Sequence, residues 1–274
     1  MNIDQEEILF NSRDEFSEIS ITEHAMIRNL YFGNDKKQSS VFVPEPSVLI
    51  LPYSQAMTLS MLFKPEPARV LLIGLGGGSL AQFLLKAYPG CEIDVVELRS
   101  HVIELCHEYF LLPKGLHHLH IHHNNAKDFV ENQLKEREKK YDIIFLDAFD
   151  QHGPADINNN TQFLYNCKHL LSKNGVLCTN LWNRREDVYH QWYRNFCKQF
   201  DDNCLELRLG KINSNVVVFG FAEACGARTF HKLNHRAEEY KIQLGVDFPK
   251  YLKMIHSQNN FFIKRIKRLF SFCA

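Results

Sequence analysis

Residues Val70–Ser79, VLLIGLGGGS, constrain the fold more than any other stretch of this chain. A β-branched apolar run ends at Gly74, and Gly76, Gly77 and Gly78 follow before helical spacing begins at Ser79. Glycines let the backbone turn tightly and approach a ligand that a Cβ would block. The first N–H groups of the helix have no partner within it and face the same ligand. One apolar run later, IDVVE ends at Glu97, whose carboxylate can accept hydrogen bonds from both hydroxyls of a ribose. Strand, glycine turn, helix and distal carboxylate together predict a nucleoside site.

The pattern around this unit fixes the fold class. Runs VLLIG (70–74), EIDVVE (92–97), HLHIH (118–122), DIIFLD (142–147) and GVLCTNL (175–181) read as strands, and amphipathic stretches between them as helices. Such alternation predicts right-handed crossovers and a doubly wound, mostly parallel α/β sheet. After a further helix at about 185–200, CLELRLG and SNVVVFGFAE are spaced for an antiparallel hairpin. A sheet ending in a hairpin indicates the class I methyltransferase-type, Rossmann-like fold over the six-stranded dinucleotide fold. Before it, EISITE, RNLYFG and SVFVP suggest a small N-terminal β cap, followed by a helix at about 54–63. The tail from about 228 is helical. The expected divisions are a cap with its linking helix at 1–64, a nucleoside-binding domain at 65–225, and a helical extension at 226–274.

Bulk properties narrow the function. With 32 basic and 32 acidic side chains the net charge is zero, so no broad field recruits nucleic acid. No run reaches the roughly 20 apolar residues of a membrane span, and MNIDQEEILF lacks a signal-peptide core. The eight cysteines include no CxxC pair, which predicts reduced, buried thiols (Cys91, Cys167, Cys178 among them) and a cytoplasmic location.

A glycine turn alone leaves the nucleoside open. Gly74-Leu-Gly76 could begin a dinucleotide fingerprint with Ser79 at the third glycine position, and Glu97 would then take an NAD ribose. Against NAD, nothing beyond the turn is specific to a pyrophosphate, and the fourth strand ends in Asp147-Ala-Phe-Asp150. Carboxylates at the carboxyl end of a central strand face the ligand crevice. They suit a cationic or amine substrate better than hydride transfer.

On these residues the chain resembles the polyamine aminopropyltransferases, the spermidine synthase family. YDIIFLDAFDQHGPAD (141–156) is similar to that family's D-x-x-D-P-x-G-P-A signature. The glycine turn, Glu97 and the segment HNNAKDFV (123–130) keep the family spacing, and the likeness runs from about Leu30 to Ala222. The resemblance implies an S-adenosylmethionine-type donor, intact or decarboxylated, and a small-molecule amine acceptor. Asp147 would take the acceptor's proton and Asp150 would grip the amine. Asn125 and Ala126 would stand where the family's Asp-Gly contacts adenine, and Gln38 and Tyr53 would close over the sulfur side. A free amine titrates near 10.4 and arrives protonated at neutral pH, so a carboxylate base is required. The family often dimerises, which makes a homodimer plausible.

Several positions depart from that pattern. The family's glycine turn carries an aspartate where this chain has Gly77, and its His/Gln-Glu pair after the tyrosine reads Ser54-Gln55. The proline after the second acid is Gln151, and LGKINSN (209–215) stands in place of a Tyr-Pro substrate loop. Groups for a cationic tail are lost and groups for adenosine are kept, so methyl transfer from S-adenosylmethionine is the alternative reading. Non-catalytic nucleoside binding is a third.

Other features take structural readings. His118, His120 and His122 would share one strand face but read as a surface or edge strand, with no metal site expected. His152 could contact the substrate. Trp182 and Asn183 are placed at the acceptor pocket, Tyr189 and Trp192 in the core, and LKEREKKYD at a solvated helix end. In FFIKRIKRLFSFCA, Phe262, Ile266 and Phe270 share a face and the basic residues lie largely elsewhere, which fits docking on the body or on a partner subunit better than contact with a membrane.

Overall fold

A computed structural model of the chain describes residues 6–33, 36–136, 140–150, 153–210, 214–223 and 228–259. The N-terminal cap is a four-stranded antiparallel sheet in the order β1 (Glu7–Arg13), β2 (Glu18–His24), β3 (Ile27–Phe32) and β4 (Lys36–Phe42). β1 was not legible as a strand because its edge position leaves most of its side chains exposed or half-buried. The linking helix is broken into α1 (Pro52–Met57) and α2 (Ser60–Phe63).

The larger unit continues as β5 (Arg69–Ile73), α3 (Ser79–Ala87), β6 (Glu92–Glu97), α4 (Ser100–Tyr109), β7 (Leu119–His123), α5 (Ala126–Glu136) and β8 (Tyr141–Leu146). Two-residue strands β9 (Phe149–Asp150) and β10 (Gly153–Pro154) follow, then α6 (Thr161–Leu170), β11 (Leu171–Trp182) and α7 (Glu186–Gln199). β12 (Cys204–Arg208), β13 (Asn215–Phe221), α8 (Arg228–Leu244) and α9 (Phe248–Gln258) complete the described chain. The seven-stranded sheet has the order β12-β13-β11-β8-β5-β6-β7. The pairs from β11 to β7 are parallel, and β13 runs antiparallel to both β11 and β12, as the hairpin spacing predicts.

Alternate residues of the central strands feed two cores. Val70, Leu72, Ile143 and Phe145 face α1, α3, α8, α9 and the cap, whereas Leu71, Ile73, Ile144 and Leu146 face α5, α6 and α7. Each strand is therefore buried on both faces, which is why these runs are apolar throughout. Tyr189 and Trp192 are core residues, as expected, and Trp192 Nε1 donates to the Asn158 carbonyl. The chain leaves β5 toward β6 on one side and reaches β8 on the other, so the sheet switches direction between β5 and β8. The crevice of such a sheet opens above that point.

One expectation needs correction. Cys197 and Cys204 are joined by a disulfide across the tight turn between α7 and β12. Cys91, Cys106, Cys167 and Cys178 are free and buried, so thiol burial holds, but the uniformly reduced reading and its compartment argument do not. The histidine strand is an edge strand, as expected, and carboxylates of β6 meet two of its histidines. His120 meets Glu92 at 2.9 Å and His122 meets Asp94 at 2.8 Å. Asp94 is already held by Arg69 and Tyr141, so it is a buried ionic network. No cluster able to hold a metal ion occurs among the described residues, and no described helix is long and apolar enough to cross a membrane. The FFIKRIKRLF segment and His152 lie outside the described residues.

Candidate active site

One cavity of about 620 Å³ lies at the switch point, walled by the carboxyl ends of β5, β6, β8 and β11 and roofed by the cap and α1. That volume suits a nucleoside with room for a second small molecule. Gly74 and Gly76 line it, whereas Gly77 and Gly78 stand outside the lining and shape the turn. Gly74 has φ +96°, and a Cβ there would sit 2.4 Å from the Asp147 carbonyl oxygen, so glycine lets the loop pass directly against the end of β8. Gly78, at φ +73°, precedes α3 with the Cys106 sulfur where its Cβ would be.

Glu97 is 8% exposed at the end of β6 and lines the cavity. Its Oε2 accepts from Leu75 N–H at 2.9 Å and its Oε1 from Arg99 N–H at 2.9 Å. Burial pushes its pKa up, and those backbone donors pull the other way. Each oxygen keeps a lone pair for the cavity, which is the arrangement a vicinal diol requires. Glu97→Gln turns an NH₂ toward one of these backbone donors. Calorimetric affinity for S-adenosyl nucleosides is expected to fall roughly 10- to 100-fold, with the fold retained.

Asn125 and Ala126 also line the cavity, at the start of α5. The Asn125 side-chain oxygen accepts from Lys127 N–H at 2.9 Å, so it caps that helix while its NH₂ group is left for a ligand. The asparagine therefore has one oxygen shared between capping and the adenine role that the sequence assigned to it.

Asp147 follows β8 directly and is half-buried at the cavity floor. Burial raises its pKa to about 6, while bonds from Asn180 and Tyr53 hold it down. Asn180 Nδ2 donates to Asp147 Oδ1 at 3.0 Å, and Asn215 Nδ2 donates to Asn180 Oδ1 at 2.9 Å. The Tyr53 hydroxyl, whose pKa is raised by burial and by Asp147, stays protonated and also reaches the Gln38 carbonyl at 3.0 Å. The Tyr53 hydroxyl thus links the Gln38 backbone carbonyl to Asp147 at one wall of the cavity. Asp150 lies in β9, where it pairs with Gly153. Its side chain lies outside the described residues.

Sequence reasoning missed the Asn180–Asn215 relay. The available signal was an amide inside the apolar run GVLCTNL, at the end of a central strand. Asn180→Ala removes a bond that lowers the Asp147 pKa. The acidic limb of the rate–pH profile should then move upward, with roughly ten-fold lost near pH 7 and less at higher pH. A merely structural role would lower the rate evenly across pH.

Trp182 lines the cavity, packed on Phe149 at 5.4 Å between ring centroids. Asn183 does not: it is buried and accepts from Ser214 N–H, pinning the start of β13. Ser54 and Gln55 serve the fold as well. Ser54 Oγ donates to Leu51 O, and Gln55 bonds Leu49 O and the Tyr251 hydroxyl of α9. Residues 211–213 of the LGKINSN loop lie outside the described residues.

The cap is clamped to this site by Arg99, which the sequence did not single out. Its guanidinium donates to both Asp14 oxygens (2.8 and 2.7 Å) and to Ser17 Oγ at 3.1 Å, and it lies 4.1 Å over the Phe32 ring. Phe16, Ser17, Phe32 and Arg99 all line the cavity.

Fold and site together define a methyltransferase-type α/β protein with a β cap over one nucleoside-sized cavity. A family model, the spermine/spermidine synthase domain, matches residues 52–206. The polyamine aminopropyltransferase of Chromobacterium violaceum is 29% identical over 242 residues, covering 88% of this chain and 90% of that protein. Among solved structures, a probable spermidine synthase from Corynebacterium glutamicum superposes with a TM-score of 0.70 at 16% identity, over 83% of this chain and 86% of that one. Human methyltransferase-like protein 13, in complex with SAH, gives 0.64 at 20% identity over 72% and 93%. The last two establish the shared fold. The chain belongs to the spermine/spermidine synthase family.

Proposed function

We propose that this chain is an aminopropyltransferase of polyamine biosynthesis, moving an aminopropyl group from decarboxylated S-adenosylmethionine to an amine acceptor. The observation that carries the reading is Asp147. It is a carboxylate with a pKa near 6, held by Asn180 and Tyr53 in the same cavity as a ribose-ready Glu97, in a chain whose curated relatives are named for this transfer. The donor supplies an electrophilic carbon beside a positively charged sulfur. Glu97 holds the nucleoside, and the cap closes over it through Arg99. At pH 7 Asp147 is mostly ionised, so it can bind the acceptor ammonium and take one proton from it, which frees the nitrogen lone pair that forms the new C–N bond. The electron pair of the broken C–S bond stays on sulfur. Asp150 is proposed as a second grip on the amine, and Asn125 and Ala126 as the adenine wall.

Methyl transfer is the second reading. It is favoured by the glycine at position 77 and by Lys37 on the cavity wall, neither of which repels a donor carboxylate. Product analysis after incubation of the chain and an amine with S-adenosylmethionine or with its decarboxylated form separates the two. Turnover of the decarboxylated donor supports aminopropyl transfer, whatever the ratio of the two affinities. Turnover of S-adenosylmethionine alone overturns it.

A further inference from the structure

The cavity wall carries a hydroxyl that neither nucleoside binding nor acceptor activation uses. Ser39 sits on β4, is 4% exposed and lines the cavity. A Cβ built on Gly77 would lie 3.0 Å from Ser39 Oγ and 3.1 Å from the Phe110 ring. The backbone at Gly77 does not have positive φ, so a side chain there is opposed by crowding alone, from neighbours that would have to give by a few tenths of an ångström. Ser39 fills the volume in which a residue-77 side chain would begin. It neighbours Gln38, whose carbonyl bonds Tyr53 beside Asp147, so it lies along the wall between the glycine turn and the acceptor end.

Ser39 opens on the cavity, where its hydroxyl can donate one hydrogen bond to a ligand and accept others. The carboxylates among the described lining residues are Glu97 and Asp147, both already engaged, and Lys37 adds a positive charge to the wall.

We propose that Ser39 is a specificity-determining residue that hydrogen-bonds the tail of the donor beyond its sulfur. Because Ser39 is neutral, the site discriminates only weakly between a donor with a carboxylate and one without. This rests on the reading of the cavity as an S-adenosyl nucleoside site. A hydroxyl can accept from the tail ammonium or donate to a tail carboxylate, whereas a carboxylate at this point would repel the second.

The test is calorimetry on the full chain with three probes: S-adenosylmethionine, its decarboxylated form, and 5′-methylthioadenosine, which has nucleoside and sulfur but no tail. In the unaltered protein the two donors should differ by less than roughly five-fold, and Ser39→Asp should shift their ratio at least ~10-fold toward the decarboxylated form. Ser39→Ala should weaken both donors about three-fold while 5′-methylthioadenosine binds within about two-fold of the original. The alanine variant also decides the matter should the aspartate variant fail to fold. An unchanged donor ratio in folded Ser39→Asp, or an equal loss of 5′-methylthioadenosine in Ser39→Ala, overturns the role of Ser39. Failure of the unaltered protein to bind any probe overturns the nucleoside reading, and the Ser39 role falls with it.

Discussion

Asp147→Asn is expected to lower turnover at least about 100-fold while leaving nucleoside affinity within a few-fold, because the amide fills the same space but accepts no proton. The carboxyl titrates near 6 in the folded protein. Catalysis should therefore fall as pH drops through about 6, since protonation removes the base. Stability should move the other way. An acid whose folded pKa lies above its unfolded value near 3.9 destabilises the fold in its charged form. That cost is complete above pH 6 and vanishes below pH 4, so the asparagine variant should melt higher than the parent at pH 8 and nearly with it at pH 4. Unchanged turnover would remove Asp147 from the chemistry. A melting difference that persists at pH 4 would show that its effect on stability is not titration.

Arg99→Ala is the substitution expected to damage the fold most. Asp14, whose carboxyl is held below the usual range by Arg99 and by the N–H groups of Ser17 and Phe16 despite burial, would lose its partner. Removing one side of a buried ion pair costs about 3 kcal/mol or more, which lowers the melting temperature of a chain this size by roughly 6–12 °C. The site should suffer too, because Ser17, Phe32 and Phe16 would no longer be drawn over the cavity. KM for the donor should rise more than kcat falls, whereas Asp147→Asn shows the reverse. The depressed Asp14 pKa also means that the clamp is complete at neutral pH and weakens only as pH falls below the ordinary Asp range. An arginine-free variant with normal melting and normal KM would show that the cap is held by other contacts.

The parts of this protein that were legible in the sequence are those encoded locally. The five central strands are buried on both faces and so read as apolar runs. Glu97 and Asp147 stand out because a carboxylate ending such a run has no structural reason to be there. What stayed hidden depends on pairs brought together by tertiary folding. Arg99 meets Asp14 across 85 residues, Ser39 meets Gly77 across the cap boundary, and Asn215 reaches Asn180 through a sheet pairing. Nothing in the local pattern of any one partner names the other. The Cys197–Cys204 disulfide is local, at seven residues apart, and escaped because nothing in the sequence of that turn marks it as bringing two sulfurs together. β1 was missed because an edge strand with exposed alternate residues looks like a polar loop. Gly77 and Gly78 were grouped with the ligand-facing glycines because the run GLGGGS does not show which residue turns away.

The central claim is that the cavity between Glu97 and Asp147 transfers an aminopropyl group to an amine. The direct measurement is mass spectrometry of the products after incubating the purified chain with decarboxylated S-adenosylmethionine and a panel of aliphatic di- and triamines. Equal amounts of 5′-methylthioadenosine and an amine heavier by one aminopropyl unit, both absent with Asp147→Asn, are the predicted result. A methylated amine formed from S-adenosylmethionine, with no aminopropylated product from the decarboxylated donor, would contradict it.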